Sequence, residues 1–183
     1  MTSSSHATPP SPQQPVSFLA RLLRHVTTTT ASARRVFPAA TLTALQTEIG
    51  AGEARHRAQL RLIIEPKLSW APLRDKVSSR GRAHALFSQY RIWDTEENVG
   101  VLLYINLADR AVEIVTDRAV GRAIERRQWE AACAAMTRGF AQGSFHDSAV
   151  AGVAEINRLL AAEFPRSGDA QRGNELSDRP VIL

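Results

Sequence analysis

The stretch that decides the fold is Arg91-Ile-Trp-Asp-Thr-Glu-Glu-Asn-Val-Gly-Val-Leu-Leu-Tyr-Ile-Asn-Leu-Ala-Asp-Arg-Ala-Val-Glu-Ile-Val-Thr-Asp117. Its centre, residues 99–106, is a nearly continuous apolar run, which is typical of a strand buried on both faces inside an α/β sheet. Residues 107–110 predict a turn, and residues 111–117 return as a second strand. The stretch therefore predicts a β-hairpin with one fully buried arm.

Outside the hairpin, the hydrophobic pattern predicts one more strand and four helices. Residues 59–65 form the strand, which Pro66 ends. Apolar positions at helical spacing predict helices at about 38–57, 78–90, 129–143 and 144–164. A strand, a helix and a strand in this order form a right-handed parallel crossover. The sequence thus predicts an α/β fold, a three-layer α/β/α arrangement in which helices cover a small mixed sheet built from a parallel crossover and a β-hairpin.

Charge is the most unusual feature of the composition. The 183 residues carry a net charge of +5 and a pI of about 10.3, which makes nucleic acid and anionic membranes the first candidate partners. Residues 1–38 hold four arginines and no acidic residue, whereas residues 39–165 hold 16 basic and 15 acidic residues. Because the excess lies outside the predicted sheet, and no helix-turn-helix or zinc-finger spacing is present, nucleic acid is not the expected partner.

Composition divides the chain into four segments. We predict a disordered tail at 1–15, a basic amphipathic segment at 16–36, a compact domain at 37–165 and a C-terminal tail at 166–183. The C-terminal tail ends in apolar residues, and it either packs back on the domain or stays free.

The basic amphipathic segment carries Arg21, Arg24 and His25 between apolar residues at helical spacing. Two interpretations stay open. Either residues 16–35 tether the protein to an acidic membrane or protein surface, or the helix packs on the domain. No run of apolar residues is long enough to span a bilayer, and the pattern differs from a secretory signal. The expected location is therefore cytoplasmic, with peripheral membrane attachment in the tethered case.

Common catalytic signatures are missing from the sequence. It contains no glycine-rich phosphate loop, no HExxH and no GxSxG, and no organic cofactor is expected. The histidines do not stand at metal-ligand spacing, so His56 and His84 are expected to be packing or capping residues. The single cysteine, Cys133, lies on the apolar stripe of a predicted helix and is expected to be a small core residue.

One candidate metal site lies just before the central strand. Asp94, Glu96 and Glu97 precede this strand, and the hairpin register brings Asp117 to the same end of the sheet. Converging carboxylates suit a hard cation such as Ca²⁺ or Mg²⁺, which would relieve their mutual repulsion. The alternative is a solvated acidic turn.

A second candidate site lies at the opposite end of the hairpin, about 20 Å away at the usual rise of a strand. Asp109 is in the hairpin turn, and Glu65 ends the first strand. If the first strand is parallel to the central one, Glu65 lies near Asp109. This is the end of the sheet at which α/β proteins usually bind ligands.

The stretch 91–117 resembles the TPM-domain family, which includes a thylakoid-lumen acid phosphatase and a photosystem II repair protein. Further matching pieces are Glu53-Ala-Arg-His56, Trp129, Phe140-Ala-Gln-Gly143 and the tail Glu175-Leu-Ser-Asp-Arg-Pro-Val-Ile-Leu183, which is similar to that of short bacterial members. The resemblance covers about residues 36–165 and extends to this tail.

This resemblance implies an α/β/α fold, a divalent-metal site and the phosphatase activity of some plant members, although other members look like assembly or membrane-associated factors. The family's acidic residues before the Gly-Val-Leu strand correspond to Asp94, Glu96 and Glu97. Longer secreted members carry a Gly-Tyr-Gly-Leu-Glu-like run where this chain has Asp117-Arg-Ala-Val-Gly121, so Asp117 would replace a missing carboxylate. Their signal peptide and membrane anchor have no counterpart in this sequence.

Two functional hypotheses follow. The first is a metal-dependent phosphatase-like hydrolase, in which a cation at Asp94, Glu96 and Asp117 polarises a phosphorylated substrate and Arg118 binds the phosphate. No nucleophile or general acid is recognisable, so the catalytic residues are unknown. The second is a non-enzymatic module that binds or assembles with a partner and is held on an acidic surface by its basic segment.

Overall fold

A computed structural model describes residues 18–166 and 176–183 of the chain. The strands in these residues form one sheet in the order β3-β2-β1-β4. They are β1 (Gln59–Glu65), β2 (Gly100–Asn106), β3 (Ala111–Thr116) and β4 (Val181–Ile182). β1 is parallel to both of its neighbours, whereas β2 and β3 are antiparallel. The mixed sheet with a parallel crossover and a hairpin confirms the predicted fold class.

Helices cover both faces of this sheet. They are α1 (Phe18–Thr27), α2 (Thr30–Val36), α3 (Ala39–Glu53), α4 (Trp70–Arg74), α5 (Ser79–Gln89), α6 (Arg118–Ala123), α7 (Arg126–Ala141) and α8 (Phe145–Glu163). α3, α7 and α8 pack with alternate strand side chains such as Leu62 and Leu103. α5 packs with the opposite set, which includes Ile63 and Tyr104. Because successive strand residues point to opposite faces, the sheet fills two cores and forms the middle of three layers.

The hairpin has the predicted register. Asn106 pairs with Ala111, and the backbone N–H of Asp117 donates to the carbonyl of Gly100 at 2.8 Å. In the parallel pair, Glu65 lies opposite Asn106. Every residue of β2 is buried, which explains why this arm of the hairpin is apolar without alternation. Asp117 and Glu65 therefore lie at opposite ends of the sheet.

The elements that the sequence did not predict are all short. α2, α4 and α6 are seven, five and six residues long, and β4 has two residues, so none is long enough to show a hydrophobic period. The first core helix ends at Glu53, a turn earlier than expected. The end of the C-terminal tail packs on the domain, since Leu183 N donates to the carbonyl of Ile64 at 3.0 Å. The predicted disordered tail at 1–15 lies outside the described residues.

Candidate functional site

At the acidic end of the sheet, Asp117 is buried, with only 7% of its surface exposed. It is the N-cap residue of α6, and its Oδ1 accepts a hydrogen bond from the backbone N–H of Arg118 at 2.6 Å. Its Oδ2 is also buried and has no hydrogen-bond partner. A buried carboxylate oxygen without a donor is costly and therefore uncommon in folded proteins. Asp117 is the one predicted metal ligand with such an unpartnered buried atom among the described residues.

The other predicted ligands at this end are spread over the surface of the loop before β2. Asp94 and Glu96 are exposed, and Glu97 is half-buried and forms an ion pair with Arg57. Across residues 18–166 and 176–183, no three acidic, histidine or cysteine side chains lie close enough together to hold a metal ion. The register thus brings these carboxylates to one end of the sheet without assembling a cation cage. Their role as ligands stays a prediction.

At the opposite end, a hydrogen-bond network joins the two residues of the second candidate site. Glu65 is 4% exposed and accepts hydrogen bonds from the Tyr104 hydroxyl at 2.6 Å and from Arg82 Nη2 at 2.8 Å. The Tyr104 hydroxyl accepts from Asn106 Nδ2 at 3.0 Å, and Asn106 Oδ1 accepts from the backbone N–H of Asp109 at 2.9 Å. Burial, together with the adjacent charge of Glu65, raises the pKa of Tyr104 above its ordinary value, so it stays a donor. Glu65 and Asp109 are therefore parts of one buried polar network.

Asp109 also fastens α1 to the domain. Its two oxygens accept hydrogen bonds from Arg21 Nε and Nη2, both at 2.8 Å, and Oδ1 lies 3.0 Å from His25 Nε2. The backbone N–H of Leu68 donates to His25 Nδ1 at 3.0 Å, so the imidazole proton is on Nε2 and is donated to Asp109. The Ser79 hydroxyl donates to Oδ2 at 3.2 Å. We call Arg21, His25 and Asp109 the α1 clamp.

Arg21 and His25 lower the pKa of Asp109. Burial alone would raise the pKa, but the hydrogen bonds from Arg21 and His25 outweigh this effect and hold it below its ordinary value. Sequence analysis singled out Asp109 but not its partners. Arg21 and His25 stand four residues apart, which places them on one face of a helix. That spacing was a usable signal that the two residues share a polar face, but not that this face meets the domain.

Four apolar side chains of α1 consequently point away from the domain, whereas Leu22 is half-buried. Leu19 is 75% exposed, Leu23 64%, Val26 65% and Phe18 39%. We call these four residues the outward apolar face. A surface helix ordinarily buries its apolar stripe and exposes its charges, whereas α1 does the reverse. The two interpretations left open by the sequence are therefore compatible, because α1 packs on the domain and still presents apolar residues to the solvent.

Basic and aromatic residues surround α1 on the neighbouring segments. Trp70, at the start of α4, is 63% exposed and lies two residues after Leu68, which is bonded to α1. The Lys76 ammonium lies 6.0 Å from the centre of the Phe18 ring. Lys67, which precedes Leu68, and Arg34 and Arg35 on α2 are also exposed. No helix in the described part of the chain is long and apolar enough to cross a bilayer.

The remaining candidate residues have structural roles. His56 is buried, with Nδ1 3.1 Å from the Ala58 carbonyl and Nε2 3.2 Å from Asn157 Oδ1, and burial lowers its pKa. Burial raises the pKa of Cys133 to about 12, so this thiol is not a reactive nucleophile at neutral pH. His56 thus has the packing role that the sequence predicted, Cys133 is half-buried against the core, and His84 is exposed.

Comparison with known proteins agrees with the fold. The family model described as the TPM domain matches residues 32–159. The NMR structure of the BA42 protein from the psychrophilic bacterium Bizionia argentinensis superposes with a TM-score of 0.68 at 21% sequence identity, covering 79% of this chain and 94% of that one. At this identity the likeness concerns the fold alone. The curated proteins contain no match. Because the family model spans well over half of the chain, and the sheet and hairpin have the arrangement that the resemblance implied, the chain belongs to the TPM-domain family.

Proposed function

We propose that this TPM-domain protein is a peripheral module that docks on an anionic membrane through the outward apolar face of α1. The orientation of the helix carries the proposal. Arg21 and His25 both bind Asp109 and so face the domain, which leaves the outward apolar face of α1 in the solvent. An amphipathic helix that lies in the membrane interface buries such a face at the boundary between headgroups and acyl chains.

The exposed area is large enough to matter energetically. Burying a Leu or Val side chain fully is worth about 1.5–3 kcal/mol. Scaled by the exposed fractions of Leu19, Leu23 and Val26, the outward apolar face offers roughly 3–6 kcal/mol on transfer to an apolar phase. Each basic residue near an anionic surface adds about 1 kcal/mol, and Lys67 and Lys76 are exposed beside α1. The two contributions together support reversible docking.

Preorganisation supports the same role. α1 has ten residues, and a helix this short is marginal in water on its own. The α1 clamp fixes it against β2 and the hairpin turn, so the helix is already formed before it meets a membrane. Docking then requires little further ordering of the chain, which favours binding by a modest apolar face.

The experiment compares binding to sedimented vesicles of phosphatidylserine and phosphatidylcholine with binding to vesicles of phosphatidylcholine alone. Replacing Leu19 and Leu23 with serine removes most of the outward apolar face and should weaken binding about 100-fold, from roughly 3 kcal/mol of lost burial. Trp93→Ser is the matched control, since Trp93 is also half exposed but precedes β2 at the opposite end of the sheet. Equal binding by the double variant, or an equal loss in Trp93→Ser, would contradict the proposal.

We propose, as a second function, that the acidic end binds a divalent cation. The supporting observation is the unpartnered Asp117 Oδ2. Ca²⁺ takes about six to eight oxygen ligands, so Asp94 and Glu96 would have to close on Asp117, and the arrangement described above does not fit a bound cation as it stands. A bound cation would supply charge for polarising a phosphoryl oxygen, and the neighbouring Arg118 is exposed and available to contact a phosphate.

This second proposal is tested by thermal unfolding with added Ca²⁺ or Mg²⁺. A cation that binds only the native state must raise the melting temperature, and the rise should vanish in Asp117→Asn, which preserves the N-cap. Asp147→Asn, at an exposed acid in the first turn of α8, is the control. An unchanged melting temperature in both ions refutes cation binding. Hydrolysis of an aryl phosphate that survives both Asp117→Asn and Arg118→Gln refutes the assigned phosphatase residues.

A further inference from the structure

We infer that a cavity of about 500 Å³ beneath α1 and α2 is a binding site for a small amphiphilic anion, namely a carboxylate on a medium-length alkyl chain. The cavity is open on one side and is bordered by α1, α2, the hairpin turn and α7. It opens at the end of β2 that carries Asn106, which is the carboxyl end of the parallel strands. α/β sheets commonly bind ligands at this end, and ligand cavities commonly measure about 300–1,000 Å³.

The charged part of the wall is cationic, beside neutral polar residues such as Thr27 and Asn106. Arg24 and Arg110 both line the cavity, and none of the lining residues among 18–166 and 176–183 is acidic. The Nε–H of Arg24 is buried and has no hydrogen-bond acceptor, whereas Arg21, one turn earlier, is bound on two sides by Asp109. A buried donor without an acceptor costs about 1–3 kcal/mol, and more when it is charged. An anionic ligand in the cavity would offset this cost.

The rest of the wall is largely apolar. Val36, Leu107, Phe140 and Phe145 line the cavity, and the last two rings stack with their centres 5.1 Å apart. These side chains cannot solvate a small inorganic ion, but they can enclose an alkyl chain. Cationic and apolar walls in one cavity therefore favour a ligand that carries both an anionic group and an apolar group.

This inference does not rest on membrane docking. Arg24 and Thr27 contribute the α1 part of the cavity wall, whereas the outward apolar face consists of other residues of the same helix. The ligand could be a free carboxylate or an acyl chain taken from a membrane, and the Leu19→Ser/Leu23→Ser variant separates the two sources. That variant should still bind the dissolved carboxylate even if its vesicle binding is lost.

The test is a calorimetric titration of the full chain with octanoate below its micelle-forming concentration. Octanol lacks the charge and acetate lacks the chain, so both should bind at least about tenfold more weakly than octanoate. The Arg24→Gln variant should likewise bind octanoate at least about tenfold more weakly than the unaltered protein. Arg35→Gln is the matched control, because Arg35 is exposed on α2 and does not line the cavity; it should bind like the unaltered protein.

A second variant guards against a change of α1 conformation in Arg24→Gln. Ala141 lines the cavity from the end of α7 and is exposed, so Ala141→Phe fills the space while leaving Arg24 in place. It should abolish octanoate binding with an unchanged circular dichroism spectrum. The inference is overturned if millimolar octanoate does not bind, if octanol binds equally well, or if Arg24→Gln and Ala141→Phe both keep full affinity.

Discussion

Replacement of Asp109 by asparagine should detach α1 from the domain. The carboxylate accepts two hydrogen bonds from Arg21 and one from His25, whereas asparagine offers one acceptor and turns an NH₂ group toward these donors. Breaking a fully buried ion pair costs about 3–5 kcal/mol. The side chains of Arg21 and Asp109 keep 16% and 9% exposure, so partial solvation should reduce the loss to about 2–4 kcal/mol of unfolding free energy.

Urea unfolding and amide hydrogen exchange measure this effect together. The Leu68 amide is the local probe, because it donates to His25 Nδ1 and should exchange much faster once α1 is released. Asp147→Asn is the control for removing one negative charge from the surface. The reasoning is refuted if Asp109→Asn unfolds within about 0.5 kcal/mol of that control and the Leu68 amide keeps its protection.

The pH dependence of the α1 clamp follows from the lowered pKa of Asp109. An acid whose pKa is lower in the folded state contributes stability above its unfolded pKa of about 3.9 and loses it as the pH falls through the folded value. The stability that depends on the ionised Asp109 should therefore persist throughout mildly acidic and neutral solution. The difference in unfolding free energy between the unaltered chain and Asp109→Asn should shrink only below about pH 4, and a difference that has already vanished at pH 6 would contradict a lowered pKa of Asp109.

Two further predictions concern the core. Burial raises the pKa of Glu53 to about 8. The protonated acid therefore stabilises the fold below its unfolded pKa of about 4.3, and this stability is lost as the pH rises through 8. Between pH 5 and pH 9, the free energy of unfolding in urea should fall less in Glu53→Gln than in the unaltered chain, and an equal fall would be contrary evidence. A Cβ at Gly100 would lie 1.8 Å from the Ile92 carbonyl oxygen, so Gly100→Ala should lose about 3 kcal/mol or more in the same assay. The control is Gly81→Ala, whose Cβ would lie 3.3 Å from Ser78 Oγ and 3.5 Å from Val77 Cγ1 and which should lose none.

Local patterns were sufficient to predict the three long strands of the sheet, β1, β2 and β3. The apolar run of β2 and the turn at 107–110 determine the hairpin register, and this register correctly placed Asp117 beside Gly100. The parallel crossover then correctly placed Glu65 at the Asp109 end. These predictions succeeded because strand pairing and crossover handedness follow from patterns within a few tens of residues.

The orientation of α1 could not be predicted in the same way. Hydrophobic periodicity indicates an amphipathic helix, but it does not say which face meets the domain. That choice is made by Asp109, which lies 88 residues after Arg21 in the chain. The unpartnered Asp117 Oδ2 and Arg24 Nε are likewise results of three-dimensional packing, and neither has a signature in the sequence.

Membrane insertion of the outward apolar face is tested most directly by a fluorophore on α1. In a Cys133→Ser background, an environment-sensitive probe at Leu23→Cys should shift to the blue with phosphatidylserine vesicles and stay unchanged with phosphatidylcholine alone. A probe at Ala151→Cys, on the exposed side of α8, should not respond to either. If the protein binds the anionic vesicles while the probe at position 23 stays in water, or if both probes shift equally, α1 is not the docking element.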